Sequence, residues 1–335
     1  MTVIQIELIR GAVAFEQLSA EWDTLARRGM TNTPFQSLAY QRAWWTHLGP
    51  GELLTLAARA DAGELLGIGC FFLQGGQLYF NGCVEETDYL DIIVSAENAA
   101  AVWQAIFDQL THPGFPECQG FHLCNVPAGS LSRQILPVLA AERGFSFAED
   151  IQEVCPVIQL PNAFEAYLEG LDKQQRHELR RKLRRAEGAE ARLVTITAQD
   201  NLPAAVDDFL TLLQKSTPDK SAWLNAGRRA VFHETAAATL AAGSLQLLFL
   251  EVEGQRVAAL FNFDYDGRVW VYNSGLDPEA HAYLGPGVVL TALAVEKAIT
   301  AGRHTFDFLR GNETYKYRFG AQDTQVYRLM LRRSD

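Results

Sequence analysis

The segment FDFLRGNETYKYRFG, residues 306–320, gathers Asp307, Arg310, Glu313, Tyr315 and Lys316 between apolar flanks. A carboxylate or a tyrosine can take a proton from an attacking amine, and a fixed cation can hold the charge that grows on a carbonyl oxygen. Lys316 suits the second task, and Asp307, Glu313 and Tyr315 compete for the first. The plain alternative for Lys316 is a surface lysine paired with Glu313. Upstream, Gly285-Pro286-Gly287-Val288 opens an apolar helical run. Proline costs nothing at a first helical position, glycine lets a ligand approach the backbone, and free N–H groups there attract anions. A pyrophosphate could sit at this loop, and an ordinary helix entrance would look the same. The run KQQRHELRRKLRRAE, residues 173–187, offers Arg176 and Arg180 for phosphate or another anionic acceptor, with a solvated helix face as the competing reading. Asp88 and Asp91 in TDYLD could hold a cationic acceptor, and Tyr272 and Arg310 are further candidates to touch substrate.

These residues need elements to position them. Alternation marks strands at 53–60, 64–74 and 77–80, and again at 245–252, 255–265, 268–274 and 304–309. Helical periodicity marks 96–111, 163–187, 204–216, 228–242 and 287–301. The stretch LLGIGCFFLQGGQLYFNG has an echo in RVAALFNFDYDGRVWVYNSG, with Gly76 and Gly267 at matching turns, 191 positions apart. Each is a strand, a glycine turn, an aromatic strand and an asparagine. The spacing predicts two copies of one α/β unit with a boundary near 150–156.

Composition sets limits. The chain has 335 residues, is 48% hydrophobic and 21% charged, and so can bury a full core. Its net charge of -11 disfavours DNA as a partner. The five cysteines are scattered and odd in number, which suits a reducing cytoplasm and unpaired thiols. His122 and Cys124 lie two apart, but two ligands make no zinc site, so no metal is expected. No apolar run is long enough to span a membrane.

The meander, the Asp277-Pro278-Glu279 loop, the Gly-Pro-Gly helix start and FDFLRGNETYKYRFG together resemble the GNAT-related acetyltransferase group named for cellulose-biosynthesis proteins of the CelD type. This resemblance covers roughly residues 155–320. PFQSLAYQRAWW and TDYLDIIV resemble that group's degenerate N-terminal copy. The tandem layout also resembles the FemABX peptidyltransferases, which build peptidoglycan cross-bridges. Their signature of Phe-Lys, two residues and Phe-Gly is similar to Tyr315-Lys316 followed by Phe319-Gly320, and their basic helix is similar to QQRHELRRKLRRAE.

The resemblance implies an α/β (α+β) fold of two GNAT-like copies, each a mixed, mostly antiparallel sheet flanked by helices. Residues 1–152 would be the degenerate copy and 153–335 the acyltransferase. It implies direct N-acyl transfer from acetyl-CoA or another acyl-CoA to an amine, in the cytoplasm. The acceptor would be a small molecule or a sugar- or lipid-linked amine, such as an envelope or exopolysaccharide precursor, with peripheral contact to membrane or polysaccharide machinery. The donor would meet Gly285, Pro286, Gly287 and Val288, and Lys316 would stand beside the reacting carbonyl on an extended segment. Two alternatives stay open: an aminoacyl-tRNA donor, as FemABX proteins use, and a non-catalytic partner in polysaccharide assembly. Acyl-CoA users usually carry Arg or Gln where Ala282 stands, and Pro286 removes one N–H from the loop. The acidic charge and the lack of an extra helical arm weigh against tRNA.

Overall fold

The computed structural model describes residues 4–83, 86–110 and 112–333. In chain order the strands are β1 (Ile4–Arg10), β2 (Glu52–Ala60), β3 (Leu65–Gln74), β4 (Gln77–Phe80), β5 (Ile93–Val94), β6 (Gly120–Pro127), β7 (Phe145–Gln159), β8 (Arg192–Thr195), β9 (Leu245–Val252), β10 (Gln255–Tyr265), β11 (Arg268–Leu276), β12 (Thr305–Asp307) and β13 (Gln322–Arg333). The helices are α1 (Ala14–Gln17), α2 (Ser19–Arg28), α3 (Leu38–Leu48), α4 (Ala99–Leu110), α5 (Ser132–Glu142), α6 (Phe164–Gly170), α7 (Lys173–Gly188), α8 (Leu202–Ser216), α9 (Pro218–Trp223), α10 (Ala226–Ala241), α11 (Pro286–Thr300) and α12 (Thr314–Arg318). Contacts divide the chain into two units, Met1–Val154 with Gln325–Asp335, and Cys155–Thr324. The division falls inside β7, and β13 contributes its residues from Gln325 onward to the first unit.

In the first unit the strands run in the order β1-β2-β3-β4-β6-β13-β7. The β3–β4 hairpin turns on Gly75-Gly76, both left-handed at φ 58 and 74. Two consecutive positive φ values match the twist of a tight hairpin, and glycine reaches them without strain. β4 pairs parallel with β6 at Gln77–Tyr79 only. The core stacks Phe71, Trp103, Phe107 and Phe121, with α4 supplying two of the rings. Cys83 and Cys124 are joined as a disulfide with Cα atoms 5.9 Å apart. This corrects the expectation of unpaired thiols, because the fold brings the turn after β4 within bridging range of β6. It also removes Cys124 as a ligand beside His122, which stacks on Tyr79.

The second unit repeats the order. From Cys155 on, β7 is followed across the sheet by β12, β11, β10, β9 and β8. The β10–β11 hairpin turns on Asp266-Gly267 at φ 53 and 69, the geometry of its first-unit counterpart. One sheet face packs Leu248, Leu250, Val269 and Val271 against Val289, Leu290 and Val295 of α11 and Leu179 of α7. The other face meets Phe209 of α8 and Phe232 of α10 through Phe261. The helix expected over 163–187 is two helices. The break is at Leu171-Asp172, where Asp172 Oδ1 accepts from Gln174 N and Gln175 N and starts α7 afresh.

The decisive feature is where strands part. β11 and β12 run parallel and pair only at Arg268–Trp270 with Thr305–Asp307. Beyond that point β11 continues to Leu276, paired with β10 alone. The chain after β12 turns away at Leu309, a buried leucine held left-handed at φ 58. Its backbone N–H donates to Asp307 Oδ1 at 2.8 Å.

Candidate active site

A cavity of about 430 Å³ lies where β11 and β12 separate. Its walls are mostly apolar: Leu260 from β10, Val271 and Leu276 from β11, Val288 and Leu290 from α11, and Phe308 after β12. Gly285, Pro286 and Gly287 close one side, and Tyr315 and Ser274 also line it. The structure therefore brings five predicted residues to the lining of one cavity: Gly285, Pro286, Gly287, Val288 and Tyr315.

The glycine loop is shaped by close approach. Gly285 is left-handed at φ 67, and a Cβ there would meet Lys182 Nζ at 2.5 Å. A Cβ on Gly287 would press on Leu276 at 3.1 Å. Pro286 opens α11 and has no N–H to offer, and Val288 N and Val289 N both donate to Gly285 O at 3.0 and 3.1 Å, which leaves the Gly287 N–H at the helix start. Lys182, from the basic helix α7, thus holds its ammonium against the loop that starts α11. It belongs to the cluster noted in the sequence, but distance alone singles it out. Arg176 and Arg180 are engaged elsewhere, with Glu169 O at 3.2 Å and with Glu165.

The segment carrying Lys316 is helical, which corrects the expected extended course. Lys316 is 3% exposed. Its Nζ donates to Arg310 O at 2.7 Å and Gly311 O at 3.0 Å, reaches Leu309 O at 3.4 Å, and pairs with Glu313 Oε2 at 2.8 Å. The ammonium is spent on holding the 309–311 turn. It stands behind the cavity wall, next to the residue that does line the cavity. Tyr315 packs edge-on against Phe308, 5.9 Å between ring centres, and burial, aided by the Glu313 charge, raises its hydroxyl above the usual tyrosine range. Asp307 is buried and serves the Leu309 turn. Arg310 contributes its carbonyl to Lys316.

The remaining candidates do not line this cavity. Tyr272 sits at a bulge between β10 and β11 and packs with Phe232, Phe261 and Phe263. Asp88 is buried in the first unit. Asp91, also there, accepts from Thr31 Oγ1, Ser130 Oγ, Ser132 Oγ and Ile92 N, and burial pushes its carboxyl up.

One residue escaped the sequence reading. Lys220 on α9 places its Nζ 2.5 Å from Ser274 O and 3.3 Å from Ser274 Oγ. Burial pushes its amine down to about 8, with Glu313 opposing and Lys316 reinforcing the shift. The available signal was Thr217-Pro218, a capping residue followed by proline, which marks a helix start.

Residues 173–317 match the family model described as an acetyltransferase (GNAT) domain. The match thus identifies a GNAT domain within the second unit. No curated protein sequence matches the chain. Among solved structures, FemX is similar over 96% of this chain and 96% of its own, with 10% identity and a TM-score of 0.68. L-PGS from Bacillus licheniformis is similar over 96% of this chain and 92% of its own, at 11% identity and a TM-score of 0.59. A tandem GNAT protein from the clavulanic acid biosynthesis pathway covers 97% and 98%, at 12% identity and a TM-score of 0.52. At such identities the likeness is one of fold, and the fold is that of tandem GNAT proteins. Among the described residues, no helix is long and apolar enough to cross a membrane.

Proposed function

We propose that the second unit transfers an acyl group directly from an acyl-CoA, acetyl-CoA in the first instance, to an amine. The observation that carries this reading is the apolar cavity at the parting of β11 and β12, bounded by the start of α11. A pantetheine arm is slender and largely apolar, so it suits such walls. The pyrophosphate would meet the Gly287 N–H and the Lys182 ammonium. The thioester would then lie toward Ser274 and Tyr315. An amine attacks the carbonyl carbon, the C–S bond breaks, and the thiolate leaves with a proton. Tyr315, whose hydroxyl is raised and therefore stays protonated, can donate a hydrogen bond to the oxyanion. Lys316 keeps the turn that presents Tyr315. The acceptor we favour is an amine on an envelope or exopolysaccharide precursor, in keeping with the CelD-type resemblance and a cytoplasmic enzyme.

A second reading has its own support. The fold of FemX spans nearly the whole chain, and α7 carries seven Lys and Arg against two Glu. An aminoacyl-tRNA donor would use that helix. Calorimetry with acetyl-CoA separates the two. Gly287→Asp should weaken acetyl-CoA binding roughly tenfold or more, since a charge beside the pyrophosphate costs at least about 1.4 kcal/mol. Unchanged affinity in a folded variant removes the loop from the donor site.

A further inference from the structure

The transfer scheme leaves without a task one amine that is bonded to Ser274, a residue lining the cavity. Lys220 projects from α9, which begins at the Thr217 cap, where Thr217 Oγ1 accepts from Lys220 N at 3.2 Å. Its side chain reaches the stretch of β11 that has already left β12, and its Nζ is fixed on both the carbonyl and the hydroxyl of Ser274. Ser274 in turn lines the cavity with Tyr315. The amine is thus one hydrogen bond from the part of the lining toward which the thioester carbonyl would point.

We infer that Lys220 is an internal acyl acceptor, a modification site at which Nζ takes the acyl group from a thioester held in the cavity. This rests on the thioester reading of the cavity. The bond formed is Nζ to the acyl carbon, and the bond broken is carbon to sulfur. The proton lost by the amine leaves with the thiolate, so the exchange balances without another reactant. The product is an amide, which lacks the cation.

The surroundings favour attack. Desolvation lowers the amine to about 8, Glu313, just before α12, opposes, and Lys316 on α12 pushes the same way as burial. Tyr315, also on α12, stays neutral. Asp277, beyond the end of β11, is taken by Lys215 of α8 at 2.7 Å, and Asp219 on α9 itself is exposed. At about pH 7.5 such a lysine carries on the order of 100-fold more free amine than an ordinary one. Lys316, though buried, is committed to carbonyls and Glu313.

The test uses the full chain and two probes, acetyl-CoA and S-acetyl-N-acetylcysteamine, with peptide mass mapping over time. Lys220 should gain the acetyl group ahead of Lys182, Lys215 and Lys316, with a rate that is half-maximal near pH 8 and levels off about one unit above it. Lys220→Arg should lose that label while melting like the parent. Label at Lys220 from the short thioester alone keeps this inference and overturns the CoA donor. Calorimetric binding of acetyl-CoA with no preferential label from either probe keeps the donor and overturns the inference. Label spread evenly over exposed lysines overturns it as well.

Discussion

Lys316 shows how one side chain can matter to a site without entering it. Its ammonium ties Arg310 O, Gly311 O and Glu313 into one turn, and that turn presents Tyr315. Lys316→Met should therefore lower stability by about 2 kcal/mol, the usual worth of hydrogen bonds to a buried charge. Chemical denaturation measures it. An unchanged midpoint together with lost turnover would put Lys316 at the reacting carbonyl instead. Lys220 gives a pH signature. Its folded pKa, about 8, lies below the unfolded value, so between those two values the unfolded chain binds the extra proton. Stability from this group thus rises as pH climbs through that window and is lowest below it. The melting temperature of the parent, relative to Lys220→Met, should increase from about pH 7 to about pH 10. A flat difference would show that Lys220 is not desolvated.

At the scale of elements, local chemistry wrote much of the fold into the sequence. The glycine turns at 75–76 and 266–267 announced the hairpins, and Gly285-Pro286-Gly287 announced α11. The short pieces were not legible. α12 has five residues, and the alternation in Tyr315-Lys316-Tyr317-Arg318 reads equally well as a strand. α9 has six, too few to show a period. Lys182 and Lys220 could be seen as residues, but their contacts with Gly285 and Ser274 join positions far apart in the chain, and a sequence carries types without distances. The break before α7 is testable. Asp172→Ala removes the side chain that accepts from Gln174 N and Gln175 N, and should cost about 1 kcal/mol. Because α7 carries Lys182, acetyl-CoA affinity should fall with it. Calorimetry and melting of the same variant check both, and a stability loss with intact affinity would detach Lys182 from the donor.

At the scale of the whole molecule, two units run through the same order of strands, each with a parallel pair that stops short. Only the second carries glycines at its helix entrance, which the sequence shows directly. What the sequence hid is ownership of the last strand. Val326, Leu329 and Leu331 of β13 are fully buried, and β13 pairs with β6 of the first unit. Removing residues 325–333 should raise amide exchange across β6 and β4 while β9–β11 stay protected. Hydrogen-exchange mass spectrometry reads this, and loss of protection centred on β9–β11 would contradict the assignment. The consequence reaches into biosynthesis. A ribosome delivers residues 4–154 before residues 155–324, and only after both the strand that completes the first unit's sheet. The first unit must wait until the second has been made, and during that delay β6 offers an open edge to any neighbouring nascent chain.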